Sequence, residues 1–358
     1  MPHKRISPSR TLFMILLVMG LVAAACGNDD AGSETNGSDG DTEQPDDGDA
    51  DPPANGESVG TIGYLVAGDR NDGGFYEGQV EAVLEAGEAA GYEVIVVDNV
   101  NPGAAREAFE NVARQAPDLI IAGGAELAEG FMPVAEAPEY SDTTFVMVTS
   151  APAASEHYAT AGANENEAHY VGGVAMGLLL ERSGADTGCI VAGPELQFVM
   201  NMDTSMRAGL EYVNPELGML VTYTGDFEDT ALAQEAVTAQ INQGCEVVYP
   251  YLGGALSAVV RTGNEAGIGV VSTSIDRCDD PSAEFEMGIL YNPALYLEEI
   301  IGAFDAGEIV EGEQWALFGV ADGVGVGAIL CDPTDEEQAV LDEVVAAISS
   351  GEIAGWLG

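Results

Sequence analysis

From Val59 onward, short β-branched apolar runs alternate with segments whose apolar residues recur at helical spacing, and this alternation leaves few folds open. Val59–Ala67 reads as a buried strand. Gly74–Ala90 reads as a helix carrying Phe75, Val80, Val83 and Leu84, stopped by Gly91. Strand Glu93–Val97, helix Ala104–Gln115, strand Leu119–Ala122, helix Leu127–Ala135 and strand Thr144–Val148 follow. Strands and helices trading places at this pace build a parallel sheet covered on both faces. After Tyr158–Ala161 the pattern restarts with helix Glu165–Arg182. It continues through strands Cys189–Ala192, Met219–Thr224, Glu246–Tyr249 and Val270–Thr273, with helices Asp203–Val213, Thr230–Gln243 and Ala255–Ala266 between them.

The expected fold class is therefore α/β, two doubly wound, Rossmann-like lobes. Strand Phe285–Leu290, helix Ala294–Phe304, strands Trp315–Val320 and Val324–Leu330 and helix Asp335–Ser349 are left over, so the chain should recross between lobes through hinge strands. The expected division is residues 59–162 with 286–314 in lobe 1, and 163–285 with 315–358 in lobe 2. Ligands of open α/β sheets sit beyond the carboxyl ends of strands, which places a cleft between the lobes.

What precedes Val59 reads as an address. Lys4, Arg5 and Arg10 lead into the apolar run Leu12–Ala25, short for a bilayer span of ~20 residues, and small residues close it at Cys26. Ala23-Ala24-Ala25-Cys26 resembles the bacterial lipobox, with Ala23 where leucine is usual. Residues 1–25 are then a lipoprotein signal peptide and Cys26 the lipidated N-terminus, giving an exported protein anchored to the outer face of the cell membrane. Residues 26–58 are Gly, Asp, Ser, Asn, Pro and Glu with little to bury, an expected disordered tether. The Asp47, Asp49, Asp51 spacing imitates a calcium loop, but Pro52 and Ser58 occupy the positions that need Gly and Glu, so no metal is expected.

Charge narrows the function. The chain has 10 Lys+Arg against 61 Asp+Glu, a net −51, which repels phosphate backbones and excludes nucleic acid as a partner. Beyond Arg10 the only basic residues are seven arginines, so no Schiff-base lysine or phosphate-loop lysine exists. The body holds only His157 and His169, the latter read as a capping or surface residue, and no HExxH, GxSxG or CxxC pattern. An enzyme and a cofactor are not expected. Four cysteines remain after Cys26: in an exported chain two disulfides are favoured over metal ligation, with four free thiols the alternative. Cys189 and Cys245 both begin strands that are neighbours if the second lobe has order 2-1-3, which leaves Cys278 with Cys331.

The loop after the first strand, Gly68 to Gly78, offers Asn71, Asp72, glycines and the aromatic pair Phe75–Tyr76. An aromatic face can stack on a planar ligand and a carboxylate can accept from its N–H or hydroxyl edge. On its own, Asp72 could equally cap the helix while Phe75 packs inward.

Asp72-Gly73-Gly74-Phe75 with Tyr76 and Gly78 resembles the Asp-x-x-Phe motif of the basic membrane protein (Bmp) family, lipoprotein substrate-binding subunits of ABC importers related to the purine nucleoside receptor. Further blocks resemble the family in order: Leu119–Gly124, Ala137–Glu139 up to Phe145, His169–Gly177, Gly193–Glu195, Arg207–Gly209, Val213–Pro215, Gln243–Val248, Glu265–Gly267 and Ser350–Ile353. The resemblance implies a type I periplasmic-binding-protein fold, a nucleoside-like ligand, and ABC permease and ATPase subunits as partners. By position, Phe75 would stack on the base beside Tyr76, and Asp72 or Asn71 would bond its edge or the sugar. Met206 falls where many members place a second aromatic. Asp276 matches one carboxylate of an Asp-x-Asp segment whose other position is Ser274. Thr149 stands where members often carry aspartate, and Tyr291 where they often carry lysine. These substitutions leave fold and transport class intact and open the ligand to a sugar or another small solute. A surface signalling or adhesion lipoprotein without a transport role is the alternative from another class.

Overall fold

The computed structural model describes residues 58–71, 75–148 and 155–357. The expected signal peptide, Cys26, the expected tether up to residue 57, Asp72 and Thr149 lie outside these residues. All that is described belongs to one unit, Gly56–Gly358.

The first sheet takes β1 (Gly60–Leu65), β2 (Tyr92–Val97), β3 (Leu119–Ala122), β4 (Thr144–Val148) and β5 (Ala159–Ala163). Helices α1 (Phe75–Ala90), α2 (Ala105–Ala113) and α3 (Ala128–Ala135) connect its first four strands. β3 shows why a parallel sheet forms: all four residues of Leu-Ile-Ile-Ala are buried, so both faces must be covered. After α4 (Glu165–Ser183) the second sheet takes β6 (Thr187–Ala192), β7 (Gly218–Tyr223), β8 (Val247–Tyr251) and β9 (Gly269–Ser274). These alternate with α5 (Gln197–Val213), α6 (Thr230–Ile241) and α7 (Leu256–Ala266). The chain finishes with β10 (Met287–Leu290), α8 (Leu297–Asp305), β11 (Gln314–Phe318), β12 (Gly327–Leu330) and α9 (Asp335–Ser350).

Strand order is β11-β5-β4-β3-β1-β2 in one sheet and β12-β10-β9-β8-β6-β7 in the other. Neighbours are parallel except β12, which runs antiparallel to β10. The order around β7-β6-β8-β9 is the doubly wound 2-1-3-4 arrangement. Two mainly parallel sheets alternating with helices are thus the α/β architecture that the sequence pattern leads one to expect.

The late strands correct the expected division. β10 joins the second sheet, pairing Met287 with Val271 and Gly288 with Ser272, rather than lobe 1. β11 joins the first sheet beside β5, rather than lobe 2. Burial explains the exchange: every residue of β10 is buried, as an inner strand requires, whereas β11 leaves Gln314 and Leu317 exposed, as an edge allows. The chain therefore passes between sheets three times, after β5, after β10 and after β11. The first and third passages are bonded side by side. Asn164 N–H donates to the Phe318 carbonyl at 2.7 Å, and the Glu167 carboxylate accepts from Val320 N–H at 3.1 Å.

Helix α4 is buried nearly all round because glycines let α5 press against it. A Cβ on Gly173 would lie 2.0 Å from the Met206 carbonyl, and one on Gly209 2.0 Å from the Tyr170 carbonyl. Two disulfides, Cys189–Cys245 and Cys278–Cys331, close the second lobe as expected. The first joins β6 to the start of its neighbour β8, and the second joins the loop after β9 to the end of β12.

Candidate functional site

Where the carboxyl ends of β1, β8, β9 and β10 open between the sheets, a cavity of about 840 Å³ is lined from both lobes. Lobe 1 contributes Phe75 and Tyr76 from the start of α1, with Gly68 and Asp69 from the loop after β1. The two rings meet edge to face with centroids 5.2 Å apart. Tyr76 lies flat over the backbone of Gly68, where any Cβ would sit 2.0 Å from the ring, and its hydroxyl donates to Glu126 at 2.9 Å. Lobe 2 repeats the device. A Cβ on Gly193, just past β6, would lie 2.2 Å from the Phe227 ring, and Phe227 stacks on Phe198 at 6.5 Å. Each lobe therefore uses a glycine at the end of its first strand to bring an aromatic plane to the cavity.

Behind Phe198 lies an aromatic cluster of Tyr249, Tyr251, Tyr291 and His169, with successive ring centroids 5.4–6.3 Å apart. Its hydrogen bonds fix the histidine tautomer. His169 Nδ1 lies 2.6 Å from the Glu165 carbonyl, which can only accept, so Nδ1 carries the proton. Nε2 is then the acceptor for the Tyr249 hydroxyl at 3.0 Å. Burial lowers the His169 pKa to about 4, so the ring is neutral. Burial likewise raises Tyr249, Tyr251 and Tyr291 well above the usual phenol range, keeping all three protonated. Tyr251 donates to the Glu165 carboxylate at 3.1 Å, and Tyr291 contacts the Tyr249 hydroxyl at 3.5 Å. His169 is thus an interior residue, not the capping or surface one that its position suggests.

The charged groups on the cavity are Asp69, Glu228 and Arg277. Arg277 is occupied: its Nε donates to Asp280 at 2.8 Å and its guanidinium covers the Phe285 ring at 4.9 Å. Glu228 accepts from Gly254 N–H at 2.8 Å, which holds the loop after β8 in place. Asp69 accepts from its own loop, taking Asn71 N–H at 2.9 Å. The lining therefore combines aromatic faces with carboxylate acceptors and the hydroxyls of Ser257, Thr273 and Ser274. Among the described residues no cluster of His, Cys, Asp and Glu could hold a metal ion.

Of the residues singled out in the sequence, Phe75, Tyr76, Ser274 and Tyr291 line this cavity. Asn71 is exposed on the adjoining loop, its amide turned to Asp69 at 3.2 Å. Asp276 is exposed and accepts from Cys278 N–H at 2.9 Å, a turn rather than a wall. Met206 is corrected outright: it is 0% exposed in the core between α4 and α5. Phe198, two turns upstream, reaches the cavity instead. It was hidden because α5 starts at Gln197, ahead of the expected Asp203. Tyr251 was missed because the expected strand Glu246–Tyr249 stops short of Pro250, whereas β8 runs on to Tyr251. β8 pairs with β9 only as far as Val248, so past that point a missing N–H costs no ladder bond on that side. The signal that finds Phe198 is the one that finds Phe75, an aromatic opening the helix after a glycine at a strand end.

Two doubly wound lobes, three passages between them and an aromatic cavity at their strand ends define a two-lobed solute-binding architecture. The chain belongs to the Bmp family: the family model described as "ABC transporter substrate-binding protein PnrA-like" matches residues 59–352. A curated protein of Haloferax volcanii, "Putative ABC transporter glucose-binding protein TsgA13", is 27% identical over 185 residues, 49% of this chain and 43% of that protein. The match thus spans less than half the length of this relative. Among solved structures, an ABC transporter solute-binding protein from Aeropyrum pernix K1 superposes with TM-score 0.67 at 18% identity, covering 82% of this chain and 92% of that one. A transcriptional activator of the comK gene from Bacillus halodurans gives TM-score 0.70 at 19% identity over 83% of this chain and 100% of that one. At such identities the structures speak for the fold.

Proposed function

We propose that this chain is the solute receptor of an ABC importer, capturing a nucleoside or related purine-like molecule in the interlobe cavity. One observation carries the reading: aromatic planes from both lobes, Phe75 and Tyr76 on one side and Phe198 and Phe227 on the other, line a single cavity that also holds carboxylate acceptors. A planar ring stacks on the aromatics, and ring N–H or ribose hydroxyls donate to Asp69 and Glu228, joined by Asp72. No covalent step is needed. Contacts from both lobes favour the closed form, and the permease responds to that form. Cys26 carries the lipid anchor at the outer face of the membrane, with residues 26–58 as the tether. The lobes divide at the three passages, residues 59–163 with 292–318 forming one and 164–291 with 319–357 the other.

A sugar is the second reading, favoured by the relative named as glucose-binding and by a cavity whose hydroxyls and carboxylates suit a polyol. Phe75→Ala separates the two. Base stacking on an aromatic is worth about 1–3 kcal/mol. Inosine affinity should therefore fall about tenfold to a hundredfold, well beyond any loss for D-glucose. Equal losses for both, with glucose the tighter ligand in the wild type, would assign the cavity to a sugar.

A further inference from the structure

At the second passage between lobes, one fully buried asparagine bonds to both sides of the cavity, through its side chain to one and through its backbone to the other. Asn292 follows β10, is 0% exposed, and lies where the chain leaves the second sheet for α8. Its Oδ1 accepts from Ala294 N–H at 2.9 Å, capping the turn Pro293–Leu295. Since that backbone group can only donate, the amide orientation is fixed and Nδ2 faces the other way. There it donates to the Phe75 carbonyl at 3.1 Å, across 217 residues of chain. The same carbonyl accepts from Gln79 Nε2 at 3.0 Å, and Gln79 Oε1 in turn accepts from the Tyr64 hydroxyl at 2.7 Å. Gln79 and Tyr64 are also 0% exposed.

The other end of the hub is a strained residue. Ser274 closes β9 with φ +68°, a left-handed conformation that a non-glycine residue keeps only where its surroundings hold it. Its carbonyl accepts from Tyr291 N–H at 3.2 Å and from Asn292 N–H at 3.1 Å. Phe75, Ser274 and Tyr291 all line the cavity, and Asn292 or its backbone neighbour bonds to each of the first two.

From this geometry we infer that Asn292 is a positioning residue: it fixes the start of α1, and with it the Phe75 ring, relative to the Ser274–Tyr291 wall, so that the stacking ring follows the passage between lobes. This rests on the cavity being the ligand site, and the test keeps the two apart. Asn292→Ser retains a good cap for Ala294 N–H and removes the reach to Phe75. In the ligand-free protein it should speed amide exchange at Gln79–Val83 about tenfold while the melting temperature stays within a few degrees. It should weaken inosine binding about tenfold, with no further loss when combined with Phe75→Ala. Unchanged exchange at Gln79–Val83 would overturn the inference whether or not inosine binds. Additive affinity losses in the double variant would also overturn it. A wild type that ignores inosine would sink the nucleoside reading alone, since exchange still decides the role of Asn292.

Discussion

His169 is packed among Tyr249, Tyr251, Tyr291 and the Glu165 backbone, and its neutrality has a consequence for the whole fold. Its pKa is lowered to about 4 by burial, while an unfolded histidine sits near 6.5. Between those values the unfolded chain binds a proton that the folded chain refuses. Stability is therefore full above pH 6.5 and falls as pH drops towards 4, by about 1.36 kcal/mol per unit, on the order of 3 kcal/mol in all. His169→Gln should flatten that limb in urea titrations at constant salt. A second, lower window follows from Asp98, held near 2 by the Arg70 guanidinium, and Asp280, held near 2 by Ser282 and Arg277. Their contribution is present above pH 4 and lost between about 4 and 2. At this scale the aromatic pair opening the helix after the first strand could be read from the residues themselves, whereas Tyr291, which also lines the cavity, was reached only through family position. Met206 was misplaced because family position says nothing about the face on which Gly173 and Gly209 lock α5 to α4.

Among elements, the two disulfides were legible because β6 and β8 must be neighbours in a doubly wound sheet, which puts Cys189 and Cys245 at one edge. The bridge closes a 56-residue separation, so replacing both cysteines with alanine should cost about 2–4 kcal/mol. Urea unfolding checks this, and a midpoint unchanged from the wild type would mean that the bridge adds nothing. The partners of β10 and β11 were not legible. Both are short apolar runs, and nothing in their residues says which of two sheets they join; the choice belongs to the tertiary packing of α8 on α1 and to the edge left open beside β5. Helix α9 shows the opposite case. Thr334 accepts from Glu337 N–H and Glu337 accepts from Thr334 N–H, a reciprocal cap fully written in local sequence.

At the scale of the whole molecule, charge dominates. Six of the seven arginines beyond Arg10 (Arg70, Arg106, Arg114, Arg182, Arg207 and Arg277) are in ion pairs, and over the whole sequence 10 Lys and Arg stand against 61 Asp and Glu, a large excess of negative charge. Self-repulsion of that kind is screened when the Debye length falls from about 10 Å at 0.1 M salt to about 3 Å at 1 M. The melting temperature should therefore climb steadily with sodium chloride from 0.1 M to 2 M, and a flat or falling curve would show that local pairing already balances the field. The same charge bears on the cleft, where Asp69 and Glu228 face a lining whose arginine is already paired with Asp280. Such a cavity favours a neutral or cationic solute over a phosphorylated one.

The most direct test is a calorimetric titration of the oxidised protein in molar salt, stripped of bound solute, against inosine, adenosine, guanosine and D-glucose. Saturable one-to-one binding at micromolar affinity or tighter, strongest for a nucleoside, is the expected result. No heat from any nucleoside, in protein shown by mass spectrometry to be ligand-free, would contradict the nucleoside reading.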